Sequence, residues 1–440
     1  MLKTLGLMKY SLKSPNLTAQ RNIHYGICIR LWSKMFIEES RMNEETSFFE
    51  KTLLDEDNRV YVEKWSLSSQ ELRVGRGWRI EKRRLYGGLS DGVDLITLDN
   101  GELSLAIVPT RGMSIWKGMY KSMFLGWNSP IKNPVHPRHI NLEAMGGTGL
   151  LEGFNEMIVR CGLSSLGAPA TDVIIDNMGR KKEIMLTLHG KIANIPASLV
   201  NVRVGLEPPF PLEVEGVVYE RSMFGPNLKL SSIIRTIPGS NLFTICDVIE
   251  NLSGSSSDMQ ILYHCNYGSP ILEGGSRFIA PIEKVVPRDS VAAKEVENFD
   301  VYGPPQSGFI EHVYFMKMLS DDDGNTTVLL TNKDMDKAVS ISYSVNELPC
   351  FTLWKNTSSL EDGYVTGLEP GTSFPNVKPF ERRHGRVISL NPGEKFIFRV
   401  TVSAHLGKDN VRKILSRVEA IRRGRHPEIF RAPLKEFSPI

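Results

Sequence analysis

From Gly92 to Ala404 the chain returns repeatedly to short runs rich in Val, Ile, Thr, Phe and Tyr, each stopped by Gly, Pro, Asn or Ser. Such runs predict strands over 184–189, 228–236, 242–251, 259–267, 327–331, 338–344, 351–355, 364–368 and 395–404. Between 92 and 120, Asp99-Asn100-Gly101 separates two further runs and predicts a hairpin. No stretch between these runs has a helical period. Parallel sheets need long, usually helical crossovers, so the pattern excludes a doubly wound α/β fold and predicts an all-β sandwich or barrel. No repeat of roughly 20–50 residues is present, which argues against a propeller. Helical spacing appears in the tail, where Val411, Ile414, Leu415, Val418 and Ile421 share one face. Asp409 or Asn410 is the expected N-cap and Gly424 the stop.

Three regions follow. Residues 1–45 read as an N-terminal extension, 46–407 as the β domain, and 408–440 as a basic helical tail. Over 46–70 apolar and polar positions mix without a clear period. The first 37 residues hold no Asp or Glu but six Lys or Arg. That is the pattern of a mitochondrial or plastid transit peptide, although Pro15 interrupts it, and an over-long start is the competing reading. Five scattered cysteines with no CxxC argue against a disulfide framework and a structural zinc site, and favour a reducing, cytoplasmic setting. A net charge of +3 gives no case for nucleic acid, and no apolar run reaches the roughly 18 residues that span a bilayer.

The polar residues with chemical potential lie at strand ends. Glu369 precedes Pro370-Gly371, a pair expected to turn the chain and so to fix the carboxylate as a general base. His264 lies within a strand, and Asn266 shares its face because side chains alternate with period 2. His189 ends a strand before Gly190. Arg160 sits in an apolar run, where it either meets a carboxylate or waits for an oxygen-rich ligand. Arg111 follows a strand and precedes a glycine. Each of these residues has an ordinary structural reading beside the functional one. A His189/His264/Glu369 metal site lacks any HExxH or HxH spacing to support it, and Glu311 with Glu369 is a conceivable glycosidase pair. There is no GxSxG, GxGxxG or P-loop, so neither a serine hydrolase nor a nucleotide cofactor is indicated, and no cofactor is expected.

Taken together, TRGM at 110–113, GFNEMIVRCGL at 153–163, LHGKIANIPA at 188–197, YHCNYGSP at 263–270 and DGYVTGLEPGTSFPN at 362–376 resemble the aldose 1-epimerase-like proteins, and more closely their DUF4432 branch. The resemblance spans about 75–405. It implies a galactose mutarotase-like antiparallel β-supersandwich with a sugar cleft, here followed by a short C-terminal helix. It also implies that the partner is a small-molecule sugar and the reaction the interconversion of its anomers. By that resemblance His264 is the general acid and Glu369 the base, acting from opposite sides of the sugar, with Glu369 ionised and His264 protonated near neutrality. His189, Arg160, Glu311, Asn266 and, as an alternative arginine, Arg111 would bind the sugar. Glu311, in GFIEH at 308–312, stands where the family has an aspartate, which puts the choice of sugar in question. A sugar-binding protein without catalysis, or another sugar isomerase or lyase on the same scaffold, are the alternatives.

Overall fold

The computed structural model describes residues 47–439. The expectations attached to 1–45 lie outside the described residues. Two large sheets enclose one continuous apolar core. The ten-stranded sheet runs Arg277–Ile279, Asn325–Thr331, Lys337–Ser344, Lys395–Leu406, Leu242–Asn251, Asn227–Thr236, Leu212–Arg221, Leu199–Gly205, Phe48–Asp55 and Val60–Tyr61. The fourteen-stranded sheet has at its centre His312–Met318, Cys350–Thr357, Tyr364–Gly371, Ser257–Tyr267, Ile158–Leu163 and Ser114–Tyr120. Among the described strands, pairing is antiparallel except where Glu428–Ile429 joins Ile282–Pro287. This is the antiparallel β-sandwich that the sequence predicts.

The two sheets bury differently, and that difference places the site. Asn227–Thr236 and Leu242–Asn251 alternate strictly between buried and half-buried positions, so one face meets the core and the other meets water. Ile158–Leu163 and Tyr364–Gly371 are buried at every position, as is Ser257–Tyr267 from Met259 onward. These three strands are covered on both faces. Their outer face lies under a loop whose Leu142, Leu150 and Phe154 pack with Val159, Ala193, Trp127 and Trp354.

Several expectations need correction. The strand expected over 184–189 is Lys181–Leu186, paired with Ala170–Ile175 as a separate hairpin, which leaves His189 in a turn. Pro370-Gly371 does not turn the chain. Tyr364–Gly371 runs straight through it, with Pro370 opposite Phe351. Proline is tolerated because the ladder to Ser257–Tyr267 lapses there, between the Cys265/Leu368 and Leu262/Gly371 pairs. From Phe48 to Leu72 the chain forms three strands and one helical turn.

At Asp99-Asn100-Gly101 the hairpin forms as expected. Asn100 accepts from the backbone N–H of Glu102 and Leu103, and Gly101 takes φ +94°. The tail helix spans Lys408–Arg422, capped by Gly407 and not by Asp409 or Asn410. Val411 and Val418 seat it on Leu329 and Ala338 of the ten-stranded sheet. Among the described residues no helix is long and apolar enough to cross a membrane.

Candidate active site

The register of Tyr364–Gly371 against Ser257–Tyr267 sets Glu369 directly beside His264 on the outer face. Across the flanking strands His264 faces Val159, Glu369 faces Thr352 and Gly367 faces Trp354. Period-2 alternation gathers these side chains on one surface. His264 Nε2 lies 3.1 Å from Glu369 Oε1. Gly367 keeps room for the pair, since a Cβ there would stand 2.4 Å from Glu369 Oε1 and 3.0 Å from His264 Cε1. An isolated glycine inside a strand is a signal of close approach, and the sequence offered it.

Three rings meet the His264 imidazole edge-on, those of Phe154, His189 and Trp354, with centroids 5.2, 5.4 and 5.3 Å away. His189 reaches this position from a left-handed backbone at φ +59°, followed by Gly190 at +71°. A side chain on Gly190 would put its Cβ 2.1 Å from the Ser165 carbonyl oxygen, so only glycine fits. His189 Nδ1 is 3.0 Å from the Leu166 carbonyl. A carbonyl only accepts, so Nδ1 carries the hydrogen and the neutral ring offers a lone pair at Nε2.

Burial dominates the electrostatics. It raises the Glu369 carboxyl well above the ordinary carboxylate range, Glu311 adds to the rise, and Arg288 opposes it. It also drives His264 well below the usual imidazole range, with His189 pushing the same way. His189 is lowered too, chiefly by burial, against the Leu166 hydrogen bond and the Glu311 charge. The free site therefore favours a carboxylic acid beside a neutral imidazole, opposite to the ion pair expected from sequence. Desolvation penalises both charges, and the pair keeps one proton between its members either way.

Glu311 is at the rim, its side chain 42% exposed. Its Oε2 accepts from Trp354 Nε1 at 2.7 Å and its Oε1 from Arg288 Nη1 at 3.0 Å. Asn266 is fully buried and donates to the backbone carbonyl of Glu156 at 3.0 Å. Three buried atoms of this surface have no hydrogen-bond partner among the described residues, His264 Nδ1, Asn266 Oδ1 and Thr352 Oγ1, while Glu369 Oε1 faces His264 Nε2.

The two arginines are corrections. Arg160 lies on the opposite face of its strand, fully buried between the sheets. Its guanidinium spans both carboxylate oxygens of Asp247 and donates to Ser232 Oγ at 2.7 Å and the Met113 carbonyl at 2.8 Å, which leaves nothing for a sugar. Arg111 is equally enclosed. It pairs with Glu156 and donates to Asn194 Oδ1 at 2.9 Å and to the Val135 and Gly153 carbonyls. Among the described residues no three His, Cys, Asp or Glu side chains are grouped to hold a metal ion. Phe154, inside the 153–163 motif, also lines the site, as do Thr352 and, at the rim, Arg288, which carry no local sequence signal.

The family model described as a domain of unknown function, DUF4432, matches residues 90–404, and this chain belongs to that family. A solved structure from Klebsiella pneumoniae subsp. pneumoniae, a presumptive aldose 1-epimerase, is 34% identical with a TM-score of 0.83, over 88% of this chain and 99% of that one. A galactose mutarotase-like protein from Clostridium acetobutylicum shares the fold at 15% identity and a TM-score of 0.51, over 74% of this chain and 98% of that one. No curated protein matches the sequence.

Proposed function

We propose that this protein is an aldose 1-epimerase-like isomerase that interconverts sugar anomers by acid–base ring opening. The observation that carries the reading is the buried His264–Glu369 pair at 3.1 Å, whose far nitrogen, His264 Nδ1, has no hydrogen-bond partner among the described residues. Ring opening takes a proton from the anomeric hydroxyl and gives one to the ring oxygen. Both oxygens are bonded to the same carbon, so adjacent donor and acceptor groups reach them from one side, without flanking the sugar. The neutral pair serves, because it holds one proton to give and one lone pair to receive. Where the anomeric hydroxyl lies then decides which member gives and which takes. Closure after rotation about C1–C2 delivers the other anomer and returns the proton. General acid–base catalysis of this kind contributes about 10²–10⁴-fold. In this reading His189 Nε2 and Asn266 Oδ1 accept from sugar hydroxyls, and the Trp354 and Phe154 rings form apolar wall.

The test is anomer exchange followed by NMR on a panel of hexoses, pentoses, uronic and sulfonated sugars. Acceleration of one class, abolished in His264→Asn, supports the reading. Binding by calorimetry with no acceleration of any sugar would replace it with a sugar-binding protein.

Two results are expected at this site. Gly367→Ala should lower exchange by about 10²-fold with little change in melting temperature, since a displacement of the carboxyl by an ångström is enough for such a loss. An unchanged rate would show that the carboxyl can move without penalty. Glu311→Gln should move the alkaline limb of the pH–rate profile to lower pH. The Glu311 charge helps hold the proton on Glu369, and neutral glutamine releases it earlier. A limb that stays put or moves up would contradict the coupling.

A further inference from the structure

Leu212–Arg221 turns Val214, Val218 and Glu220 onto the inner, apolar face of the ten-stranded sheet. Glu220 is only 3% exposed. A carboxylate among valines is costly unless its oxygens are satisfied. Among the described residues its hydrogen bonds come from a single turn at the end of Ile158–Leu163, in the other sheet. The backbone N–H of Leu163 donates at 2.6 Å and that of Ser164 at 3.4 Å, and the Ser164 hydroxyl donates as well.

That turn holds His189. The Gly162 N–H donates to the His189 carbonyl at 3.0 Å, and the Lys191 N–H donates to the Gly162 carbonyl at 3.0 Å. The His189 N–H donates to the Gly167 carbonyl at 2.9 Å, and its Nδ1 to the Leu166 carbonyl at 3.0 Å. These contacts pin a residue whose left-handed backbone is otherwise unfavourable for a side chain. They also choose which ring nitrogen keeps the hydrogen.

We propose that Glu220 is a positioning residue for the site: by anchoring Leu163 and Ser164 across the sandwich it fixes the Leu166 carbonyl, and so the rotamer and the Nδ1–H tautomer of His189. What His189 does for a sugar rests on the anomer-exchange reading. How His189 is held does not.

The experiment uses the full chain labelled with ¹⁵N-histidine, with the His189 nitrogens assigned through His189→Gln. Wild type should show Nδ1 protonated and Nε2 bare. Glu220→Gln keeps the shape but replaces one acceptor oxygen by an amide, and Ser164→Ala removes one donor without burying anything new. In whichever variant folds, the two nitrogen shifts should move toward a mixture of tautomers. On the responsive sugar KM should rise roughly tenfold, the lower end for groups that orient a functional histidine. A change in packing alone would lower the melting temperature and leave the tautomer intact. Wild-type nitrogen shifts in a folded variant overturn the proposal. No exchange by wild type on any sugar would count against the isomerase reading only, because the positioning role is judged on the nitrogen shifts.

Discussion

Glu369→Gln should leave a folded protein that still binds sugar and exchanges anomers about 10²–10⁴-fold more slowly. The amide keeps the shape of the carboxyl but cannot pass a proton to or from its neighbour. His264 Nε2 would then stand 3.1 Å from a group without acid–base capacity. Stability should move the other way. The Glu369 value in the fold lies well above its reference of 4.5, so its contribution to stability is full below 4.5 and is lost as pH rises through the folded value. Glutamine has no such dependence. The melting temperature of the variant should therefore gain on wild type as pH is raised from 5 to 8. Exchange at the wild-type rate would remove Glu369 from the chemistry, and a melting difference that shrinks with pH would contradict its burial as an acid.

Arg160→Met should be the most destabilising single change among the residues considered, at about 3–5 kcal/mol by urea unfolding. Arg160 and Asp247 are fully buried, and Asp247 also accepts from the Tyr263 hydroxyl at 2.8 Å. Removing the guanidinium leaves that carboxylate buried against one hydroxyl and an uncovered Ser232. Arg160→Met combined with Asp247→Leu should recover most of the loss, because an apolar pair of similar volume avoids the stranded charge. Below its melting temperature the single variant should keep its KM, since no guanidinium nitrogen reaches the candidate site. A loss under about 1 kcal/mol, or a raised KM with normal stability, would return Arg160 to the sugar.

These outcomes bear on what could be read before the fold was known. Strand runs such as 242–251 were legible to the residue, because a β-branched and aromatic composition and the residues that bound it are written directly in the sequence. Buried strands were found by composition, but composition does not say which face meets the partner sheet. That is why Arg160 stayed ambiguous between bridge and ligand, while its neighbour His264, one register step across the sheet, points the other way. Pro370 misled because proline usually breaks a ladder, and the lapse in pairing that admits it is a tertiary fact. The preference of His264 and Glu369 for their neutral forms was illegible for a similar reason. It depends on how completely the loop bearing Phe154 covers them, and no local motif reports coverage.

The order of strands in the ten-stranded sheet has a consequence for how the chain is made. Lys395–Leu406, the last long strand, lies between Leu242–Asn251 and Lys337–Ser344, in the interior of that sheet. During synthesis Leu242–Asn251 leaves the ribosome well before the strand that will cover its edge. At 5–20 residues per second the interval is roughly 7–30 s. Throughout it the nascent chain presents a bare edge bearing Phe243, Ile245 and Ile249, the kind of template that recruits other chains. The sandwich closes only near the end of translation. A chaperone that shields this edge, or a slower ribosome that lengthens its exposure, should therefore alter the yield of soluble protein more than changes to the finished surface do.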